Sequence, residues 1–271
     1  MKYINCEQYA KEILDDVKQV QHNKYFVIVS VGDNPASQSY IKGKIKDCEY
    51  CGIPYLHKHI DLNTEQYPKI ALEYTLRQLA CDPDVNSIIL QLPLPEGWDE
   101  KYFLKFIPPH KDVDGLTRDS NFLPCTPEGI VHVLKKELGS LDGKTALIIG
   151  RGKLVGRPLF DLLLHENCTV TMAHSKTQDL YTMPLLVGYD MIIVAAGSPK
   201  LLNLQLLNRK TKIVIDAGVN RVDGKLCGDC DKYDEETGDV RVTPVPKGIG
   251  LMTRAMLMKH IAETNKKEVK A

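Results

Sequence analysis

The chain reads as an α/β protein of two domains, an N-terminal α/β substrate domain and a Rossmann-type parallel-sheet dinucleotide-binding domain, with a cleft between them. Three observations carry that reading. Strand-like and helix-like patterns alternate along almost the whole length. Runs such as Met191–Ala196 and Ile213–Asp216 are apolar on both faces, as parallel strands covered by helices must be. A glycine triplet at 150, 152 and 156 follows one such run and opens a helix pattern. The 271 residues also suit about two domains, at roughly 150 residues each.

In chain order, residues 6–22 predict an amphipathic helix with Tyr9, Ile13, Val17 and Val20 on one face. Tyr25–Val31 is a β-rich run. Asn34 and Pro35 then suit an N-cap and a first helical position, and Gly52 suits the end of that helix after Cys51. Tyr55–Ile60 reads as a short strand, 64–80 as a helix and Ser87–Gln91 as a buried strand. Leu92-Pro-Leu-Pro95 stops it. A short helix to Phe106 and a loop over Pro108–Ser120 lead to a join between the layers near 115–125. Thr126–Leu138 is helical, and Ala146–Ile149 is a strand before the glycine turn and a helix from about Val155. Cys168–Ala173, Met191–Ala196 and Ile213–Asp216 are further strands. Val222-Asp-Gly-Lys225 reads as a hairpin turn. Leu251–Glu263 closes the chain as a helix, with the last eight residues expected to fray.

Charge and composition exclude several classes. Lys+Arg and Asp+Glu are 35 each, so the zero formal charge gives no support for a nucleic-acid or membrane-surface binder. The longest apolar runs fall far short of the ~18 residues of a membrane span. Met1–Gln8 carries an early charge and no apolar stretch, so no secretory signal is expected and the location is read as cytoplasmic. Two Cys-x-x-Cys pairs, Cys48/Cys51 and Cys227/Cys230, raise the question of zinc. Zinc pairs usually lie about 12–20 residues apart, far closer than these two. Cys48 also continues an apolar helix stripe. No metal is expected, and reduced thiols are.

In the segment Thr145–Pro158, Gly150 permits a tight turn and Gly152 leaves room for a pyrophosphate against backbone N–H groups. The helix start then adds partial positive charge. A site for NAD usually places Asp or Glu about 20 residues on, to hold a ribose hydroxyl. Here the chain reads Ala173-His-Ser-Lys-Thr177, with no carboxylate before Asp179. Ser175 and Lys176, with Arg151 or His174, could hold a 2′-phosphate, which favours NADP.

In the first half, Tyr40 and Lys44 are neighbours at i and i+4, beside the core stripe of Ile41, Ile45 and Cys48. A lysine at such an edge loses water and with it some of its affinity for a proton. Gln91 ends a buried strand, where ligands of open α/β layers sit. It could orient Lys44 or satisfy loop backbone. Lys111-Asp-Val-Asp-Gly115 offers two carboxylates, suited to an N–C–N edge or to capping a turn.

Taken together these segments resemble the bifunctional methylenetetrahydrofolate dehydrogenase/cyclohydrolase family. The matching stretches are Val31–Lys44, Gln91–Pro95, Lys111–Gly115, Pro124–Pro127, Gly150–Pro158, Asp216–Arg221 and Thr243–Pro246, in the family's order. The resemblance implies oxidation of 5,10-methylenetetrahydrofolate with NADP, then hydrolysis of the methenyl product to 10-formyltetrahydrofolate. It implies a homodimer, with domains at 1–120 plus 250–271 (folate-binding, catalytic) and 121–249 (NADP-binding). It implies that Lys44 is the central catalytic group, that Gln91 tunes it, that Tyr40 packs on the folate aromatic system and that Asp114 anchors the pterin. Gly150, Arg151, Gly152, Ser175, Lys176 and Val219 would meet the dinucleotide. Four departures from the family stand out: Gly152 for its usual Ser, Lys176 for its usual Arg, a shortened 115–124 stretch, and Lys247 and Leu251 near the C-terminus. Another two-domain NADP oxidoreductase of shikimate-dehydrogenase-like architecture is the alternative. It should lack the Tyr40/Lys44 helix and the Leu-Pro-Leu-Pro segment.

Overall fold

The computed structural model describes residues 2–178, 186, 188–207, 210–231 and 240–268, the last three as backbone only. It divides into two units. The first comprises Lys11–Cys125 with Arg254–Ala271, and the second Met1–Ala10 with Thr126–Thr253.

The first unit is built on a parallel three-stranded sheet of order β3-β2-β4, with β2 Tyr25–Val31, β3 Tyr55–Ile60 and β4 Val85–Leu90. One face buries Val27, Val29, Ile88 and Leu90 against Leu72, Leu76 and Leu79 of α3, Pro68–Cys81. Each such leucine contributes about 2 kcal/mol by leaving water. Phe26, Ile28 and Ile89 are also buried, so β2 and β4 bury apolar residues on both faces. Helix α2, Pro35–Cys51, begins as its sequence predicts: Asn34 Oδ1 accepts from Ala36 N at 3.0 Å and Ser37 N at 3.2 Å. Its Cys48 thiol lies against Met258 Sδ at 3.8 Å, on the last helix α7, Ile249–Glu268.

The second unit carries a six-stranded sheet, order β1-β11-β8-β7-β5-β6, with every pair parallel. Its strands are β1 Lys2–Tyr3, β5 Thr145–Ile149, β6 Thr169–Ala173, β7 Met191–Val194, β8 Ile213–Asp216 and β11 Arg241–Val242. The hairpin at 222–225 is present: β9 Asn220–Val222 pairs antiparallel with β10 Lys225–Cys227.

Several boundaries differ from the sequence expectation. Helix α1 is Cys6–Lys18, four residues short of 22. α3 begins at Pro68 rather than 64, because Asp61 and Glu65 take turn hydrogen bonds from Asn63 and Tyr67. The C-terminal helix extends to Glu268 instead of fraying after 263. Thr264 Oγ1 meets Ser87 Oγ at 3.3 Å and Asn265 Nδ2 meets His22 Nδ1 at 3.2 Å, which tie its last turns down. Residues 269–271 lie outside the described residues.

The first ten residues, placed in the first domain from sequence, belong to the second unit. Ile4 N donates to Val242 O at 2.9 Å, making β1 an outer strand of that sheet. Tyr9, expected on the apolar face of α1, instead donates its hydroxyl to Glu137 Oε1 at 2.7 Å. The joins between units fall at 125/126 and 253/254, against 120/121 and 249/250 from the motifs.

Candidate active site

Lys44 lies on α2 and is 5% exposed. Its Nζ donates to Gln91 Oε1 at 2.8 Å, and Gln91 Nε2 donates to Leu92 O at 2.7 Å. The amide is thereby locked with its oxygen toward the amine. This joins the two roles left open for Gln91: one end satisfies loop backbone and the other orients Lys44. Gln91 N also donates to Val29 O at 2.8 Å, which fixes the strand end against β2.

Burial pushes Lys44 below the usual lysine range, and the nearby Asp114 carboxylate acts against that shift. Burial likewise pushes Asp114 upward, opposed by the Lys44 charge. A lysine whose proton affinity is lowered by burial, beside a carboxyl group whose proton affinity burial raises, suits proton transfer. Tyr40 is half-buried one turn before Lys44, and burial raises its phenol. A phenol kept neutral presents a flat ring edge with one donor. Lys44, Gln91, Tyr40 and Asp114 all belong to this unit, and Lys44 joins Gln91 by a hydrogen bond and Asp114 through its charge.

The loop that carries Asp114 is held from three sides. Asp112, the first carboxylate of the pair, is fully buried and accepts from Thr117 N and Thr117 Oγ1, both at 2.7 Å. Its role is the turn cap, whereas the Asp114 carboxyl takes a hydrogen bond from Cys125 and interacts with the Lys44 charge. His260 Nδ1 lies 2.8 Å from Val113 O and its ring stacks on Phe122 at 4.8 Å. Cys125 Sγ donates to Val113 O at 3.3 Å. Sequence reasoning did not name His260, because it lies 147 positions from the loop it supports.

In the second unit the predicted dinucleotide residues share the carboxyl edge of the sheet. Gly150 has φ +126°, and a Cβ there would lie 2.1 Å from Ala195 O. Only glycine lets β5 turn this closely past β7. A Cβ at Gly152 would meet nothing within 4 Å, so space stands open beside the backbone there. Helix α6, Gly156–His165, starts at Val155 without a side-chain cap; Arg157 N donates to Gly152 O at 3.1 Å and Pro158 has no N–H, so Gly156 is the first-turn residue able to offer a donor to an anion. These features fit a dinucleotide pyrophosphate. Ser175 and Lys176 are exposed just beyond β6. His174 is committed to the turn itself, since its Nδ1 accepts from Lys176 N at 3.2 Å and its N–H donates to Thr177 Oγ1 at 2.9 Å. Val219 is 53% exposed in the loop after β8. Not foreseen was Asp229, which is fully buried. It accepts from Ala196 N, Gly197 N and Ser198 N at 2.7–2.9 Å and so shapes the loop after β7.

The cysteines do not assemble a metal centre among the described residues. All eight are free. Cys51 Sγ donates to Leu14 O at 3.6 Å, and burial pushes its thiol up to about 12.

Comparison with known proteins bears on both halves. Residues 4–114 match the family model of the tetrahydrofolate dehydrogenase/cyclohydrolase catalytic domain, and residues 124–269 match that of its NAD(P)-binding domain. The bifunctional protein FolD of Bacillus cereus is 41% identical over 250 residues, covering 89% of this chain and 85% of that protein. The bifunctional methylenetetrahydrofolate dehydrogenase/cyclohydrolase of Campylobacter jejuni superposes with a TM-score of 0.89 at 36% identity. It covers 97% of this chain and 98% of its own. The Trypanosoma brucei enzyme, solved with NADP cofactor and inhibitor, gives 0.89 at 28% identity over 99% and 98%. Shikimate dehydrogenase of Aquifex aeolicus, representing the alternative reading, reaches only 0.52 at 13% identity over 91% and 98%, a likeness of fold alone. With two domain models spanning most of its length and a 41% identical relative, the chain belongs to the tetrahydrofolate dehydrogenase/cyclohydrolase family.

Proposed function

We propose that the protein oxidises 5,10-methylenetetrahydrofolate with NADP and hydrolyses the resulting methenyl compound to 10-formyltetrahydrofolate, with Lys44 serving both steps. The observation that carries this is the buried Lys44 amine, held by Gln91 Oε1 at 2.8 Å beside Asp114. When bound, NADP supplies the hydride acceptor. Gly150, Gly152 and the start of α6 would hold its pyrophosphate, Ser175, Lys176 and Arg151 its 2′-phosphate, and Val219 its remaining surface.

The chain's own groups have distinct tasks. Asp114 accepts from the N–C–N edge of the pterin and fixes its orientation. Tyr40 packs on the aminobenzoyl ring. Gln91 holds Lys44 in one rotamer, because its own amide is pinned by Leu92 O. In hydrolysis the unprotonated Lys44 amine takes a proton as water adds to the methenyl carbon. The ammonium so formed returns a proton to the departing ring nitrogen as the carbon–nitrogen bond breaks, while the adduct hydroxyl releases its proton to solvent and becomes the formyl carbonyl. The proton balance at Lys44 closes over the cycle.

The active protein is read as a homodimer in the cytoplasm. Among the described residues no helix is long and apolar enough to cross a membrane. The deciding assay is purified protein with methylenetetrahydrofolate and NADP, followed by methenyl absorbance and then its decay. Turnover with NADP is expected; no turnover with either nicotinamide cofactor would sink the reading.

A further inference from the structure

Gly43 immediately precedes Lys44 on α2, and a Cβ on it would lie 2.0 Å from Nη1 of Arg254. The guanidinium therefore rests on the bare helix backbone, in a space that only the missing side chain provides. Asp47, one turn further on, holds it there. Arg254 Nε lies 2.8 Å from Asp47 Oδ2, and Nη2 lies 3.4 Å from Oδ1. The pair is largely withdrawn from water, with side chains 23% exposed for Arg254 and 8% for Asp47. Positions 40, 43, 44 and 47 share one side of α2. Asp47 engages the Nε and Nη2 edge of the fork, leaving the Nη1 end over Gly43.

Resting on the reading of Lys44 above, we propose that Arg254 is a positioning residue for hydrolysis. Asp47 and Gly43 together hold its permanent positive charge against the Tyr40–Lys44 face, where it disfavours a second positive charge on the Lys44 amine that takes a proton from water.

The surroundings of Lys44 show why one more cation matters. Gln91 faces it from the end of β4, Cys48 from α2, Asp114 from its loop, Cys125 from the start of helix α5 (Cys125–Leu138) and Arg254 from α7. Burial is the strongest influence and disfavours the ammonium. The Asp114 charge favours the ammonium and the Arg254 charge opposes it, while the buried Cys48 and Cys125 thiols stay neutral. Asp112 and His260 act one step away, on Asp114. Tyr40 feels the same guanidinium, which favours its ionised form. Arginine is suited to the task because it stays charged at any working pH, whereas a lysine could titrate.

The test compares pH profiles of methenyl hydrolysis in the full-length protein, the double variant Arg254→Gln/Asp47→Asn, and Arg254→Lys. Removing both charges together avoids stranding one buried ion. Wild-type rate should rise with pH along an acidic limb. In the double variant that limb should move to higher pH by about half a unit or more, with KM changed less than about threefold. Arg254→Lys should keep the wild-type limb. An unmoved limb in a double variant that melts like wild type overturns the proposal. So does a KM rise of about tenfold with the limb in place, which would make Arg254 a substrate-binding group. A side-chain nitrogen NMR titration of Lys44 in the same proteins reads the proposal without activity. If wild type does not hydrolyse the methenyl compound, the functional reading fails, while this titration still decides the Arg254 effect. An unmoved Lys44 titration would overturn it.

Discussion

Adding one methyl group at Gly150 or at Gly152 should have opposite consequences, although the two lie in the same turn. At Gly150 a Cβ would lie 2.1 Å from Ala195 O, and the backbone at φ +126° is one that L side chains rarely adopt. Holding alanine there costs about 1–3 kcal/mol in backbone strain. Moving the Ala195 carbonyl aside adds roughly 1–3 kcal/mol of overpacking. That movement pulls on the Ala195 N to Ile149 O bond of 2.8 Å, which closes the β5–β7 ladder at its carboxyl end. The total is about 2–6 kcal/mol, a fall in melting temperature of roughly 5–25 °C for a unit of this size. At Gly152 nothing lies within 4 Å and the backbone is outside the left-handed region. Alanine there should be neutral or stabilising by up to about 1 kcal/mol, because the unfolded chain loses freedom. Differential scanning calorimetry of Gly150→Ala and Gly152→Ala checks both values. If Gly152→Ala melts as low as Gly150→Ala, or if Gly150→Ala melts with wild type, the steric argument for this turn is wrong.

Three further outcomes are expected. Lys44→Met should abolish methenyl hydrolysis while leaving NADP affinity within about twofold by calorimetric titration, since Lys44 and the glycine turn lie in different units; normal hydrolysis by this mutant would remove Lys44 from the centre of the mechanism. Lys176→Ala should weaken NADP about tenfold and leave NAD unchanged, as loss of one exposed cation from a phosphate site implies; equal weakening of both would place Lys176 away from the 2′-phosphate. Burial holds His22 below its ordinary value of 6.5, so the unfolded chain takes up the proton first as pH falls. Stability from this group is therefore complete above about 6.5 and declines as pH drops through the window beneath; His22→Gln should flatten that decline in urea midpoints measured from pH 8 to 5.

Much of the fold could be read along the chain because its signals are local. The Asn34 cap, Pro35 and the strands β2 and β8 act over a few residues and are where they were expected, while β4 runs Val85–Leu90 against an expected Ser87–Gln91 and β7 ends at Val194 rather than Ala196. The spacing of Tyr40 and Lys44 likewise guaranteed one helix face, and Gln91, just beyond the end of β4, brought an amide to the carboxyl edge. The glycine triplet announced its turn because close backbone approach leaves no choice of residue.

What the chain order could not announce are the contacts between distant segments. Arg254 reaches Asp47 from 207 positions away, and its place depends on a glycine whose only local mark is an absent side chain. His260 supports the Asp114 loop, and β1 docks beside β11, for reasons of packing that no periodicity encodes. The reading of α1 shows the same limit. Tyr9 fits its apolar stripe by spacing, yet Glu137 captures its hydroxyl, because a buried donor must find an acceptor wherever the fold supplies one. Residue type and spacing thus determined which chemistry the chain can carry. Only tertiary packing decided which charges stand beside Lys44, because desolvation and Coulomb forces act through space rather than along the chain.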